Sequence, residues 1–334
     1  MVDFGNILLM ELNEFLAEWH NDNPRILVHT SGSTGKPKPL MVEKRRMLNS
    51  ARITCDFLGL KSGDTALLCM PLDYIAGKMM VVRSLQRDLR LTSVRPSSLP
   101  LADDALPHFT FAAMVPMQVY NTLKVPCERE RLMRIRHLII GGGAISDELA
   151  QMIKPLPNAV WSTYGMTETL SHIALRRLNG PDASLWYTPF DGVGISLNAD
   201  GCLVIDAPEV CAEPLVTNDI AQLRTDDRTG KTLFRIKGRK DNVVCSGGIK
   251  IQIEEVEETL RPHLSAPFMI VKRQDEMLGE KAILLTESAD LTHIEEICRN
   301  TLPKYWVPRE FLHIDHLPFT ETGKPKRTLP LTPR

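Results

Sequence analysis

Near the start of the chain, Ile7, Leu8, Leu12, Phe15, Leu16 and Trp19 recur at the three- and four-residue spacing that lines up one face of a helix. The run Asn21-Asp22-Asn23-Pro24 then stops that helix, and Arg25-Ile26-Leu27-Val28-His29 reads as a short strand. Further strand-like apolar runs fall at Thr65–Cys69, His137–Ile140, Ala159–Ser162, Cys202–Ile205 and Leu233–Ile236. Helical patterns cover Lys44–Leu58, Ser146–Ile153 and Glu254–Arg261. Strands that alternate with helices predict an α/β architecture rather than an all-β one. No internal repeat or low-complexity tract is visible.

The polar, Gly-containing stretch Lys237-Gly238-Arg239-Lys240-Asp241-Asn242 separates two patterned regions. It predicts a large α/β N-terminal domain over residues 1–238, with mixed sheets flanked by helices, and a small, mobile α+β C-terminal domain over residues 239–334. Composition narrows the function classes. With 334 residues and 43% hydrophobic content, the chain can bury a sizeable core. Lys plus Arg number 40 against 41 Asp plus Glu, so no global basic field points to nucleic acid or an anionic membrane. The N-terminal segment lacks a basic leader region and no apolar run reaches the roughly 18 residues of a membrane span, so a cytoplasmic protein without membrane insertion is expected. Seven scattered cysteines form no CxxC pair and predict reduced core thiols. Cys245 among them reads as a small buried side chain, with a catalytic nucleophile as the disfavoured alternative because no histidine is suitably placed in the sequence around it.

Chemistry concentrates in a few places. His29-Thr30-Ser31-Gly32-Ser33-Thr34-Gly35-Lys36-Pro37-Lys38 follows a strand directly. Its glycines permit close backbone approach, its hydroxyls and amides donate hydrogen bonds, and its lysines add positive charge, which together make a phosphate cradle. The spacing is not that of a P-loop, which disfavours a kinase or NTPase. Tyr164 offers an aromatic face for a purine, worth ~1–3 kcal/mol. Glu168 offers one carboxylate to Mg2+, which completes its shell with phosphate oxygens and water. Asp219 can accept from ribose hydroxyls, and Arg239 presents a fork of donors.

These motifs resemble the acyl-adenylate-forming superfamily, which includes acyl-CoA synthetases, peptide-synthetase adenylation domains and luciferases. Thr30–Lys38 is similar to its signature loop. Tyr164-Gly165-Met166-Thr167-Glu168 is similar to its YGxTE motif, and Thr217-Asn218-Asp219 to its TGD motif. Gly238-Arg239-Lys240-Asp241 with Ser246-Gly247-Gly248-Ile249-Lys250 is similar to its hinge and following loop, and Thr322-Gly323-Lys324 to its catalytic-lysine motif. The resemblance implies ATP, Mg2+ and coenzyme A as cofactors and a small carboxylic acid as substrate. It implies catalytic roles for Lys324, Thr167 and Glu168, with Glu168 also holding the metal. It further implies nucleotide contacts from Thr30, Ser31, Gly32, Ser33, Thr34, Gly35 and Lys36, from Gly142, Gly143 and Ala144, from Thr163, Tyr164 and Gly165, from Asp219 and Arg239, and at Gly247 and Gly248. The small domain would rotate about Asp241 between adenylation and thioester formation.

Two departures stand out. The phosphate loop begins at Thr30, which implies an N-terminally shortened large domain. Pro71-Leu72-Asp73-Tyr74-Ile75-Ala76-Gly77 is similar to the PLFHxxG segment of aryl- and acyl-CoA ligases, with Tyr74 in place of histidine. Val115–Tyr120 and Tyr164–Thr169 are most similar to the o-succinylbenzoate–CoA ligases of menaquinone biosynthesis. That substrate keeps a second carboxylate, for which Lys78, Arg83 and His172 are candidates. Another aryl or acyl acid, a carrier-protein thiol as acceptor, and a non-catalytic nucleotide-binding homologue stay open, as does the oligomeric state.

Overall fold

The first helix spans Phe4–His20, and the strand Arg25–His29 then pairs antiparallel with Pro39–Glu43. This computed structural model describes residues 4–29, 39–319 and 325–327. The chain forms two compact units. One comprises Met1–Ile195, Ile205–Leu215 and Arg224–Phe234, the other Ser196–Val204, Val216–Leu223 and Arg235–Arg334.

The first unit is built on a seven-stranded sheet in the order Arg90–Ser93, Thr65–Leu68, Phe111–Met114, His137–Ile140, Ala159–Gly165, His172–Arg177 and Thr188–Pro189. Neighbours are parallel up to Ala159–Gly165, after which His172–Arg177 and Thr188–Pro189 run antiparallel. Parallel pairing requires crossovers, and the helices Ile75–Arg87, Pro116–Lys124 and Asp147–Ile153 lie on those connections. All four residues of Phe111–Met114 and the last three of Thr65–Leu68 and of His137–Ile140 are buried. Such near-continuous apolar runs are the mark of strands covered on both faces. The helix Lys44–Leu58 buries Met47, Ser50, Ala51, Thr54, Cys55 and Leu58 along one stripe. It ends at Gly59, whose φ of 64° suits a residue without Cβ and whose N–H closes on the carbonyls of Cys55 and Asp56. Ser146, read in the sequence as helical, instead caps Asp147–Ile153 by accepting from the Leu149 N–H at 3.2 Å.

The strands Gly194–Leu197, Cys202–Asp206, Leu215–Thr225 and Thr232–Arg239 pair in that order as a separate sheet. In the second unit, Gly279–Thr286 is the hub of a five-stranded sheet. It pairs antiparallel with Phe268–Asp275 and Val243–Ser246 and parallel with Glu310–His313, while Ile249–Gln252 extends the edge. Helices Ile253–Leu260 and Leu291–Thr301 cover it through Ile253, Val256, Leu260, Ile294 and Cys298. Arg327 returns to this core. Its two terminal nitrogens reach the two Glu257 oxygens at 2.6 and 2.8 Å, and it also donates to the Ile270 carbonyl at 2.7 Å. Glu257 in turn accepts the Ile270 N–H at 2.8 Å.

Five cysteines are buried, as expected of core thiols, but Cys127 and Cys245 are exposed. The reading of Cys245 as a buried side chain is thus corrected. Strand periodicity points neighbouring side chains to opposite faces, and in Val243–Ser246 it is Val244 that is buried. Among the described residues, no helix is long and apolar enough to cross a membrane.

Candidate functional site

The five parallel strands put their carboxyl ends on one edge of the first unit's sheet. Arg90–Ser93 lies on one side of Thr65–Leu68 and Phe111–Met114 on the other, so the direction of strand addition reverses between Thr65–Leu68 and Phe111–Met114. Ligands of open α/β sheets bind in the crevice outside such a switch point. The loops that leave this edge carry eight of the residues singled out in the sequence: Gly142, Gly143 and Ala144 after His137–Ile140, and Thr163, Tyr164, Gly165, Thr167 and Glu168 at the end of Ala159–Gly165 and just beyond.

Close approach explains the small residues here. A Cβ at Gly141 would lie 2.5 Å from the Thr163 Oγ1, so this loop rests against the neighbouring strand. Pairing between Ala159–Gly165 and His172–Arg177 shifts register at Tyr164/Gly165. The turn beyond is tightly built. The buried Thr169 hydroxyl accepts the Met166 N–H at 2.9 Å and can donate to the Ser171 carbonyl at 2.6 Å, while Leu170 is held at a φ of 64°. Positive φ is costly for a side chain with a Cβ, about 1–3 kcal/mol, and persists where surrounding contacts over-determine it. The result is a rigid corner with Thr167 buried and the Glu168 carboxylate exposed. The Glu168 carbonyl accepts from the Cys211 Sγ at 3.4 Å.

Tyr164 is half-buried, with its ring edge-on to Phe234 at 5.0 Å between centroids and 75° between planes. Tyr187 stacks on Phe234 at 5.3 Å, and its hydroxyl lies 2.9 Å from Ser162 Oγ. Tyr187 and Phe234 were not found from sequence, because only the fold brings them to Tyr164. Gln118 was missed as well. It sits inside Val115–Tyr120, where the one sequence signal is a lone amide among mostly apolar residues.

The acyl-side candidates separate clearly. The Lys78 ammonium donates to the Leu27 carbonyl at 3.1 Å and lies 5.5 Å from the Phe15 ring centroid, so its donors have local partners. His172 is buried and engaged at both ring nitrogens, by Thr54 Oγ1 at 3.2 Å and Ser171 Oγ at 3.1 Å. Burial, and then the neighbouring Arg83 charge, holds its pKa well below the usual imidazole range. Arg83 is itself buried. It donates to Ser171 Oγ and has no carboxylate within ion-pairing distance among the described residues. Burial lowers its pKa to about 10.

The second unit carries the remaining described residues. Asp219 and Arg239 lie on adjacent strands, with Arg239 Nη1 3.8 Å from an Asp219 oxygen and Nη2 3.1 Å from Asp241. Asn218 also donates to Asp241, at 3.4 Å, and Lys240 pairs with Asp200 at 2.6 Å. Gly247 and Gly248 have φ of 57° and 82° and join two antiparallel strands in a two-residue turn, the geometry that asks for glycine at both positions. Thr30, Ser31, Gly32, Ser33, Thr34, Gly35, Lys36 and Lys324 lie outside the described residues.

Among the described residues there is no group of three or more His, Cys, Asp or Glu able to enclose an ion. One exposed carboxylate, Glu168, fits a hard cation that takes its other ligands from phosphate and water.

A parallel sheet whose carboxyl edge carries glycine loops, a supported tyrosine and an exposed glutamate defines a nucleotide-binding α/β enzyme. The sequence matches the AMP-binding enzyme family over residues 10–212, more than half of the chain, and the protein belongs to that family. Its enzymatic class is that of the AMP-forming acid–CoA ligases. It is 26% identical to a 2-succinylbenzoate–CoA ligase of Bacillus mycoides, over 92% of this chain and 69% of that protein. It is 32% identical to an acyl-CoA synthetase (AMP-forming)/AMP-acid ligase II-like protein from Dyadobacter fermentans, with a TM-score of 0.67 over 96% of this chain and 92% of that one. The fold is also shared with an o-succinylbenzoate coenzyme A synthetase from Bacillus subtilis in complex with ATP and magnesium ion. There the identity is 23% and the TM-score 0.71, over 90% of this chain and 68% of that one.

Proposed function

We propose that this protein is an ATP-dependent acid–CoA ligase and that its acid is o-succinylbenzoate. The observation that carries the substrate assignment is Arg83, a buried guanidinium with a hydroxyl partner and no carboxylate among the described residues. A desolvated cation is costly unless an anion compensates it, and a substrate that retains a second carboxylate supplies one. The 2-succinylbenzoate–CoA ligases among its relatives support the same acid.

Adenylation comes first. Thr30, Ser31, Gly32, Ser33, Thr34, Gly35 and Lys36 cradle the phosphates, Gly142, Gly143, Ala144, Thr163, Tyr164 and Gly165 hold the adenine, and Asp219 and Arg239 take the ribose. A carboxylate oxygen of the acid attacks the α-phosphorus, the bond to pyrophosphate breaks, and an acyl-adenylate forms. Lys324 stabilises charge in that step, a contribution of ~3–4 kcal/mol in a site closed against water. Thr167 and Glu168 sit at the phosphate side. Mg2+ held by Glu168 offsets triphosphate charge when bound. Residues 239–334 then turn about Asp241 and bring Gly247 and Gly248 to the acyl group. The CoA thiolate attacks the carbonyl carbon, and AMP leaves with the electron pair of the acyl–phosphate bond.

Pyrophosphate release over a panel of aromatic, dicarboxylic and fatty acids tests the substrate, with o-succinylbenzoate expected to lead. Silence with that acid alone sinks it. Free CoA and a phosphopantetheine carrier, offered in parallel, identify the acceptor. Lys324→Ala is expected to lose adenylation while still converting a supplied acyl-adenylate to thioester. Equal loss of both steps would overturn the two-orientation account.

A further inference from the structure

We infer that Gln118 is a positioning residue for the acid: its buried amide clasps the loops leaving three adjacent parallel strands and so sets the width of the crevice at the switch point. This rests on the ligase reading for the identity of what binds there, but the clasp itself is a property of the fold.

Gln118 lies on the helix Pro116–Lys124 and is only 4% exposed. Its Oε1 accepts the Val115 N–H at 3.1 Å, and its Nε2 donates to the Cys69 carbonyl at 3.0 Å and the Ser97 carbonyl at 2.9 Å. Cys69 is the first residue after Thr65–Leu68, Val115 the first after Phe111–Met114, and Ser97 lies just beyond Arg90–Ser93. These are the first three strands of the sheet order, and the reversal falls between two of them. The amide orientation is dictated by its partners, since the reverse would set its oxygen against two carbonyls. A second close approach bears on the loop after Cys69. A Cβ at Gly77 would stand 2.2 Å from the Pro71 carbonyl oxygen, so the start of the helix Ile75–Arg87 bears directly on that loop. Loop backbone without ladder partners is otherwise free to shift, and a shift near 1 Å at a reacting group costs on the order of a hundredfold in rate.

The consequence is selective. Tyr164 and Glu168 hang from Ala159–Gly165, two strands beyond Phe111–Met114, so loosening the clasp disturbs the acid more than the nucleotide. Two variants divide the possibilities. Gln118→Met keeps volume and removes all three hydrogen bonds. Gln118→Glu keeps the shape, and a protonated carboxyl facing two carbonyls can restore one donor.

The experiment measures KM for acid and for ATP, the melting temperature, and amide exchange at Val115. With Gln118→Met the KM for acid is expected to rise ~10–100-fold, with the KM for ATP changed less than about twofold. With Gln118→Glu the defect is expected to shrink as pH falls from about 8 to about 6. Equal rises in both KM values, or no rise in either, overturn the positioning role. If the wild-type chain releases no pyrophosphate with any acid, the ligase reading fails on its own. Val115 exchange then decides the clasp: faster in Gln118→Met than in wild type supports it, unchanged exchange overturns it.

Discussion

Gly165 stands so close to Ser171 that a Cβ added to it would fall 2.3 Å from the Ser171 carbonyl oxygen and 2.4 Å from the His172 Cα. Both are backbone atoms, which a rotamer change cannot clear. Gly165→Ala is therefore expected to force apart the strand and the turn that carries Glu168. The cost is about 1–3 kcal/mol, typical of overpacking, with a loss of ATP-dependent pyrophosphate release beyond the loss of folded protein. Denaturant midpoints alongside activity per folded molecule would check it. A fully stable and active variant would contradict the geometry.

Phe234 supports Tyr164 from behind. Phe234→Leu keeps an apolar side chain but removes the edge-on aromatic contact, worth ~0.5–1.5 kcal/mol. Weaker AMP binding by a few-fold, read by calorimetric titration, is expected, with acid affinity unchanged. Equal weakening of both ligands would mean the substitution acts on the whole unit.

Arg83→Met separates binding from structure. Replacing a buried charge by an apolar side chain of similar volume is often neutral or stabilising, so the melting temperature is expected to hold or rise. Turnover of a dicarboxylic acid is expected to fall by at least ~100-fold, the worth of a charge-assisted hydrogen-bond pair, while a monocarboxylic analogue loses far less. Parallel loss with both acids would place Arg83 in the scaffold rather than at the second carboxylate.

Buried His172 and half-buried His137 make stability fall in mild acid. Burial lowers the pKa of His172, with Arg83 adding to it, and burial first and then Arg136 lower that of His137. Both take up protons less readily in the fold than in the unfolded chain, which protonates below about pH 6.5. Their stabilisation is therefore intact above that pH and is lost as pH drops through it toward the folded values. The slope is at most ~1.4 kcal/mol per pH unit for each group. Urea unfolding between about pH 7 and about pH 5 should show this slope, and His172→Gln should flatten it in part, leaving the share of His137. An unchanged slope in that variant would contradict the assignment.

Local signals carried much of the fold. His137–Ile140 and Lys44–Leu58 were readable to the residue, because apolar spacing and a stop signal lie within a few positions of each other. The helix Ile75–Arg87 was missed for a physical reason. Met79, Met80, Val81, Val82 and Arg83 are all buried, so no polar face betrays the period. Phe111–Met114 lacks the β-branched residues that announce a strand and is buried at every position. In the site, Tyr164 and Glu168 were legible as residue types at a fixed spacing. Their support was not, since Phe234, Tyr187 and Gln118 act through contacts between distant segments. Of the three acyl-side cations, sequence gave no ranking. Burial and partners did, by engaging Lys78 with a carbonyl and neutralising His172.

The pairing of Glu257 with Arg327 has a consequence for how the chain comes into being. Glu257 sits on the helix Ile253–Leu260, and its partner is made 70 residues later. During synthesis the part-buried carboxylate lacks its cation until residue 327 is made, so burying it becomes favourable only late. Closure of the second unit's core around Glu257 is therefore expected late in synthesis, after the parallel sheet of the first unit has been made.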